Sequence, residues 1–301
     1  MTDIFISEND KLENILNKIE FNTSLKIKIL EYIKKNKKFV FNASKESYEG
    51  EVPNFPICKR KPFTRLVLVV YKLIELKDRY DKLGIPENIF YDTAKDIKLR
   101  QEIYFADKSD IGISKADAIW FRHLFKMVIF KLGTLQFQIS HMIYLDEDVV
   151  EGGYMKFDSA QKEKLPSGTP VINVHIQKDA DISQTACDDS FKKAESFFRK
   201  FFPEHNYRAF KCYSWLLYPG NKRLLSENSN IVKFAERFEI ISEIKDREEA
   251  VERIYGKNYR KKSDFPQNTK LQRNALNHFD SLGYACGIIN IEESDKEIKI
   301  I

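Results

Sequence analysis

The chain has 301 residues, of which 43% are hydrophobic and 32% are charged. This composition supports a sizeable core, in two domains or one large one, and argues against disorder. Basic residues exceed acidic ones by 50 − 45 = 5, far less than the concentrated charge of a dedicated nucleic-acid binder. The 11 glycines form neither G-x-G-x-x-G nor G-x-x-x-x-G-K-[ST], so the two commonest glycine-built phosphate sites are excluded.

Four cysteines lie far apart in the sequence, at positions 58, 187, 212 and 286. They form no C-x-x-C pair, so neither a zinc ribbon nor a thioredoxin-type site is indicated, and we expect no metal. The first residues carry acidic groups and lack the apolar segment of a secretory signal, and no apolar run reaches about 18 residues. We therefore expect a cytoplasmic protein with reduced thiols and with no membrane or nucleic-acid partner.

Helical spacing of apolar residues dominates the N-terminal third of the chain. It marks residues 12–19 and 25–33, and a stretch rich in turn and strand formers follows over residues 39–63. Two longer helices are predicted over Thr64 to Leu83, closed by Gly84, and over Glu87 to Phe105. We predict a helical N-terminal domain over residues 1–110.

The periodicity changes near Gly133. Before it, Ser114 and Asp117 form a capping pattern for a buried helix that we expect to continue to Gly133. After it, apolar and polar residues alternate over 135–140, which predicts a half-buried strand.

The rest of the chain alternates strands with helices, which predicts an α/β or α+β sheet with covering helices over residues 111–301. The predicted strands are 135–145, 171–176, 207–218, 238–244 and 284–291, with a hairpin turn over 146–153. The predicted helices include a long one ending near Phe202 and shorter ones over 222–226, 231–238, 246–255 and 269–282.

Several segments of this C-terminal region occur in an order typical of one family. They are 132–142 (LGTLQFQISHM), 171–176 (VINVHI), 186–202 (ACDDSFKKAESFFRKFF), 207–217 (YRAFKCYSWLL), 228–234 (NSNIVKF) and 266–279 (PQNTKLQRNALNHF). Together they resemble the bacterial acyltransferase-domain proteins that pair a helical N-terminal domain with a GNAT-like C-terminal domain. The resemblance spans roughly residues 114–291. It implies a fold, whereas the activity has to be argued from the site.

The resemblance implies a site for acetyl-CoA or another acyl-CoA. GNAT enzymes splay a pair of parallel strands and bind the pyrophosphate at the N-terminus of the helix after the first of them. Here that helix begins near Ser183, Gln184 and Thr185, which we expect to bind the cofactor. The preceding loop reads QKDADISQ and lacks the family's glycines, and its Asp179 and Asp181 have an alternative role as ordinary helix caps.

Two strands carry the candidate catalytic residues. Asn173 and His175 share one face of the first strand, so His175 is a candidate general base with Asn173 binding or orienting the substrate. Both have an alternative role as satisfied polar core residues. On the second strand, we expect Ser214 to line the same cleft as His175, where a hydroxyl beside a histidine permits nucleophilic transfer. Tyr213 is a candidate general acid for the CoA thiolate, a role that the resemblance implies.

Three weaker candidates lie elsewhere. Asn230 follows a turn that the resemblance places near the cleft, although an N-cap explains that turn equally well. Arg273 is a candidate for binding an acidic substrate, and a solvated helix face is its alternative. Asp146 and Asp148 form a D-x-D pattern that suits an oxygen-liganded metal, but an exposed hairpin turn explains it better.

We therefore expect an acyl-CoA-dependent N- or O-acyltransferase acting on an unknown small-molecule or peptide acceptor. The alternative is a non-catalytic binding protein that keeps a GNAT-like fold without the cofactor loop. A nucleic-acid-binding module is a third possibility, and it rests only on the basic loop Lys257 to Lys262. The sequence gives neither the acyl chain nor the oligomeric state.

Overall fold

The computed structural model describes residues 2–144, 157–256 and 261–291, with side chains from residue 8 onward. The chain divides by its contacts into two compact units, Met1–Lys131 and Leu132–Ile301. The domain boundary that the sequence predicts lies earlier, after residue 110, and as a division between functional domains it stays a prediction. No helix among the described residues is long and apolar enough to cross a membrane.

Seven helices of the described chain belong to the first unit. They are α1 (Thr2–Lys18), α2 (Thr23–Lys35), α3 (Lys37–Glu46), α4 (Pro62–Lys82), α5 (Glu87–Lys108), α6 (Lys115–Trp120) and α7 (Arg122–Phe125). Helix α4 is central: most of its residues from 65 to 76 are buried, and α1, α3 and α5 all pack against it. A helix covered on nearly every side needs a nearly continuous apolar sequence, which explains why α4 was predictable.

Two predictions for this unit are wrong. Residues 37–46 form helix α3 instead of a turn- and strand-rich stretch. The helix expected to continue to Gly133 ends at Phe125, and strand β1 (Ile129–Leu132) follows it. The ending is a Schellman motif: Met127 has a φ of 56°, and the Val128 N–H donates to the His123 carbonyl at 3.1 Å.

Six strands of the described chain form one mixed sheet in the order β1-β2-β3-β4-β6-β5. The strands after β1 are β2 (Leu135–His141), β3 (Pro170–His175), β4 (Ala209–Ser214), β5 (Glu239–Ile244) and β6 (Tyr284–Asn290). Strands β3 and β4 are parallel, while β2–β3, β4–β6 and β5–β6 are antiparallel. A parallel pair needs a crossover connection, and here a long helix supplies it.

The second unit contains five α-helices in its described part. They are α8 (Ser159–Lys164), α9 (Gln184–Phe201), α10 (Asn230–Ala235), α11 (Glu248–Tyr255) and α12 (Lys270–Asn277). Helix α9 connects β3 to β4 and covers one face of the sheet, where the Phe191 ring lies 5.6 Å from the Phe137 ring and 5.1 Å from the Phe210 ring. We call this the helix-covered face.

Candidate active site

Strands β3 and β4 stop pairing with each other before either strand ends. Their register pairs Val171 with Ala209, Ile172 with Phe210 and, last, Asn173 with Lys211. Each strand continues in register with its other neighbour, β3 with β2 as far as His175 and β4 with β6 as far as Ser214. The carboxyl ends of the two parallel strands therefore enclose a gap. Ligands of open α/β sheets bind at such carboxyl ends.

One face of the sheet at this gap is polar. Residues opposite one another in a sheet share a face, and so do alternate residues along a strand. The registers therefore put six polar side chains on the face opposite α9: Gln136, Gln138, Asn173, His175, Lys211 and Tyr213. We call this the polar face. It brings together three residues that the sequence singles out, namely Asn173, His175 and Tyr213.

His175 ends β3 at the gap and is half-buried. Its Nε2 lies 2.8 Å from the Gln138 Oε1 on the neighbouring strand. This contact is a hydrogen bond between the imidazole and the amide, and it orients the ring. The histidine is thus held in one orientation, as a general base requires.

Asn173 lies two residues before His175, beside Lys211 in the register. Its Oδ1 is buried and has no hydrogen-bond partner among the described residues. Buried polar atoms in folded proteins nearly always have a partner, so this atom indicates a group that is still to bind there.

Tyr213 also points to the polar face, and its ring packs against a buried apolar cluster. Its hydroxyl has no nitrogen or oxygen partner among the described residues. Burial, and then the neighbouring Cys286 thiol, raise the pKa of the Tyr213 phenol. The phenol therefore stays protonated at neutral pH, and its hydroxyl lies within hydrogen-bonding reach of the Cys286 sulfur.

The structure does not place Ser214 on the face of His175. Ser214 lies three residues after Lys211 and therefore faces the opposite side of the strand from His175. Its buried Oγ accepts a hydrogen bond from the Leu216 N–H at 3.1 Å and caps a short 3₁₀ turn. Cys212 shares that side, and burial raises the pKa of its thiol. The geometry therefore gives neither side chain the role of a nucleophile activated by His175.

The predicted cofactor residues form the first turn of α9. Ser183 is its N-cap, with Oγ accepting from the Ala186 N–H at 3.4 Å, and Gln184 and Thr185 follow, both exposed. The first amides of a helix lack intrahelical partners and attract anions. The loop before α9 turns without glycine because Asp179 adopts a φ of 62°, a conformation that aspartate tolerates better than most residues.

Two charged residues act on this helix terminus. The Asp181 carboxylate accepts a hydrogen bond from the Ser183 N–H at 2.9 Å, and this contact lowers the pKa of Asp181. Arg237 follows α10 and donates to the Gln184 carbonyl at 3.0 Å and to the Asp188 carboxylate at 2.5 Å. The terminus therefore carries the Asp181 carboxylate, which opposes an anion, while the charge of Arg237 is already balanced by Asp188.

The remaining candidates lie away from the polar face. Asn230 is the exposed first residue of α10. Arg273 is exposed on α12, and its guanidinium donates to the Gln267 carbonyl at 2.7 Å, within the same segment. Asp146 and Asp148, with the hairpin predicted over 146–153, lie outside the described residues, as does most of the basic loop Lys257 to Lys262. The described residues contain no cluster of side chains suited to a metal ion.

Sequence reasoning missed two charged side chains at this site, Lys211 and Arg237. A lysine in the middle of the most apolar strand is a signal that sequence alone contains. The position of Arg237 beside α9 depends on tertiary packing and has no such signal. The first unit also contains a cavity of about 380 Å³ lined by Lys72, Arg79 and Phe125 among others, and none of the predicted site residues lines it.

Parallel strands that separate beside the N-terminus of their connecting helix define the class of GNAT-like domains. The model of the family described as the GNAT-like C-terminal domain matches residues 129–288. The match covers more than half of the chain, so the chain belongs to this family. The resemblance inferred from the sequence is thereby confirmed. No curated protein matches the chain.

Solved acyltransferase structures share the fold. One, in complex with decanoyl-CoA, superposes with a TM-score of 0.71 at 18% identity, covering 94% of this chain and 88% of that one. Another, in complex with decanoyl-CoA and teicoplanin, superposes with a TM-score of 0.71 at 16% identity, covering 97% of this chain and 95% of that one. The predicted fold class, a helical N-terminal region followed by a GNAT-like mixed sheet with covering helices, is confirmed.

Proposed function

We propose that this protein transfers an acyl group from an acyl-CoA thioester to an amine or hydroxyl of an acceptor. The observation that carries the proposal is the gap between β3 and β4, which has the polar side chains of Asn173, His175 and Tyr213 on one face. The acyl-CoA complexes of the similar acyltransferases, with decanoyl-CoA and octanoyl-CoA, support the choice of donor.

The donor's pyrophosphate fits the first turn of α9. The amides after Ser183 point along the helix axis toward an anion, and the nearby Arg237 guanidinium is already paired with the Asp188 carboxylate. The Asp181 carboxylate already occupies the Ser183 N–H and opposes the anion. We therefore expect the site to bind CoA more weakly than a glycine-rich loop would.

The reaction follows from the polar face. The acceptor's nitrogen or oxygen attacks the thioester carbonyl carbon, and the His175 imidazole takes the proton that the acceptor loses. Beyond Asn173, the backbone edges of β3 and β4 no longer pair with each other, so N–H groups there are available to polarise the carbonyl. When the carbon–sulfur bond breaks, the Tyr213 hydroxyl gives its proton to the departing thiolate.

A non-catalytic binding protein is the second candidate function. The observation that favours it is the Asp181 carboxylate on the Ser183 N–H, since an acidic group there weakens any phosphate site. The cytoplasmic location, the small-molecule or peptide acceptor and the division of function at residue 110 belong to the proposal as well. Four buried, unbridged cysteines support a reducing compartment.

The test compares CoA release from octanoyl-CoA by the wild-type chain and by His175→Ala in the presence of a panel of amines. The proposal predicts roughly a 10²-fold or greater loss of turnover in the variant, with its melting temperature and acyl-CoA affinity retained. If the variant releases CoA at the wild-type rate, His175 is not the base. If the wild-type chain neither binds nor cleaves any acyl-CoA, the binding-protein function replaces the proposal.

A further inference from the structure

Lys211 is an anomaly in the middle of β4. It is only 4% exposed, although lysine is among the residues that are least often buried. Its neighbours along the strand, Phe210 and Cys212, are buried apolar residues on the helix-covered face. Burial lowers the pKa of the Lys211 ammonium, because removal from water disfavours the charged form.

Nothing in the described ranges of the chain neutralises this lysine. None of the ion pairs among the described residues includes Lys211. Among the described residues it lies near an aromatic ring, with Nζ 5.6 Å from the centre of Tyr213, and near the Cys286 thiol. A buried ammonium without an anion is unfavourable by several kcal/mol, and a ring face offsets only a fraction of that. A charged Lys211 is therefore unfavourable at this position unless an anion binds beside it.

The position of Lys211 at the gap suggests a role for this buried lysine. Asn173 and Lys211 are the last pair before β3 and β4 separate, so the lysine lies at the closed end of the gap. It shares the polar face with His175 and pairs in the register with Asn173, whose Oδ1 has no partner in the described part of the chain. The oxygen and nitrogen of an Asn side-chain amide can exchange places by a rotation of the amide. The position of the Asn173 Oδ1 can therefore equally hold an N–H group that donates to a ligand.

We propose that Lys211 binds a carboxylate of the acceptor and that the natural acceptors are therefore amines or alcohols that carry a carboxylate group. A single ammonium balances the single charge of a carboxylate. The Asn173 amide supplies a second donor, and the carboxylate oxygens accept from both. This inference rests on the proposed acyl transfer, which it deepens by naming the substrate class.

The first experiment uses product analogues, so that it does not require CoA to bind. N-octanoylglycine and N-octanoylglycinamide differ only in the carboxylate, and calorimetry measures the affinity of each for the full chain. We expect the acid to bind the wild-type chain about 10- to 100-fold more tightly, as for a hydrogen-bonded charge. Lys211→Met should bring the ratio near 1, and Lys211→Arg should retain some of it. Lys200→Met, an exposed lysine near the end of α9, is the matched control that should keep the wild-type ratio.

Three outcomes would overturn the inference: equal affinity of the wild-type chain for acid and amide, no binding of either, or an unchanged ratio in Lys211→Met. A melting curve checks the variant's fold, and we expect its stability to be equal or higher because a buried charge is removed.

The second experiment separates this inference from the proposed function. CoA release from octanoyl-CoA is measured with glycine and with glycinamide as acceptors. If glycine and glycinamide react equally well, the proposed acyl transfer is supported but the carboxylate-binding role of Lys211 is refuted. If Lys211→Met loses activity equally with both acceptors, Lys211 acts on the reaction itself and the carboxylate role is also refuted. If octanoyl-CoA does not bind at all while the acid preference of the product analogues persists, the proposed transfer alone fails.

Discussion

Removing the charge of Asp181 should strengthen CoA binding. In the structure its carboxylate accepts the Ser183 N–H at 2.9 Å, so it occupies an amide that a phosphate oxygen would otherwise use. Asp181→Asn keeps an oxygen acceptor but removes the charge. A unit charge at a helix N-terminus contributes about 0.3–1 kcal/mol, which corresponds to about a 2- to 5-fold gain in affinity. Asp181→Ala also frees the N–H and should gain at least as much.

Calorimetric titration with CoA at 0.1 M and 1 M salt is the assay. Because the screening length falls from about 10 Å to about 3 Å between these conditions, the gain from Asp181→Asn should shrink at high salt. Asp189→Asn is the matched control, since Asp189 is exposed one turn further along α9 and pairs with Lys193 at 2.6 Å. Unchanged or weaker binding in Asp181→Asn, or an equal gain in Asp189→Asn, would refute the placement of the pyrophosphate.

Three further predictions follow from the same contacts. Thr185→Asp should weaken CoA binding because it adds a negative charge in the first turn of α9, as calorimetry would measure. Ser214→Ala should leave turnover unchanged and reduce stability by about 0.5–2 kcal/mol, because it removes only a cap, as CoA release and denaturant unfolding would measure. Ser190→Ala should reduce stability by about 1–3 kcal/mol, because the fully buried Ser190 Oγ accepts the Thr134 N–H at 2.8 Å.

Each of these predictions has an outcome that contradicts it. Unchanged CoA affinity in Thr185→Asp would mean that the α9 terminus does not face the ligand. A large loss of turnover in a folded Ser214→Ala variant would show that Ser214 takes part in catalysis. An unfolding free energy for Ser190→Ala equal to that of the wild-type chain would mean that water replaces the lost hydrogen bond.

Local patterns made much of the second unit predictable. Period-2 alternation marks β2, and α9 has its phenylalanines at helical spacing. Both signals are local, since a half-buried strand and an amphipathic helix each carry their own periodicity. Helix α7 shows where such signals fail. Its apolar sequence continues past Phe125, yet Met127 adopts the left-handed conformation because the chain must turn into β1, and that turn is fixed by tertiary packing.

Only some of the candidate site was predictable. The sequence places Asn173 with His175 on one strand face, because that relation depends only on alternation within one strand. Whether His175 shares a face with Tyr213 or with Ser214 depends on the register between β3 and β4, and that is a property of two strands together. Because Asn173 pairs with Lys211, Tyr213 shares the face of His175 and Ser214 does not. The missed lysine was visible in the sequence, but its burial became meaningful only once the gap beside it was known.

The most direct test of acyl transfer at the gap is a calorimetric titration of the full chain with acetyl-CoA, octanoyl-CoA and decanoyl-CoA up to millimolar concentration. The account predicts saturable binding of at least one of these donors at one site per chain, retained in His175→Ala and weakened in Thr185→Asp. An absence of heat with all three donors would contradict it, and so would binding that Thr185→Asp leaves unchanged.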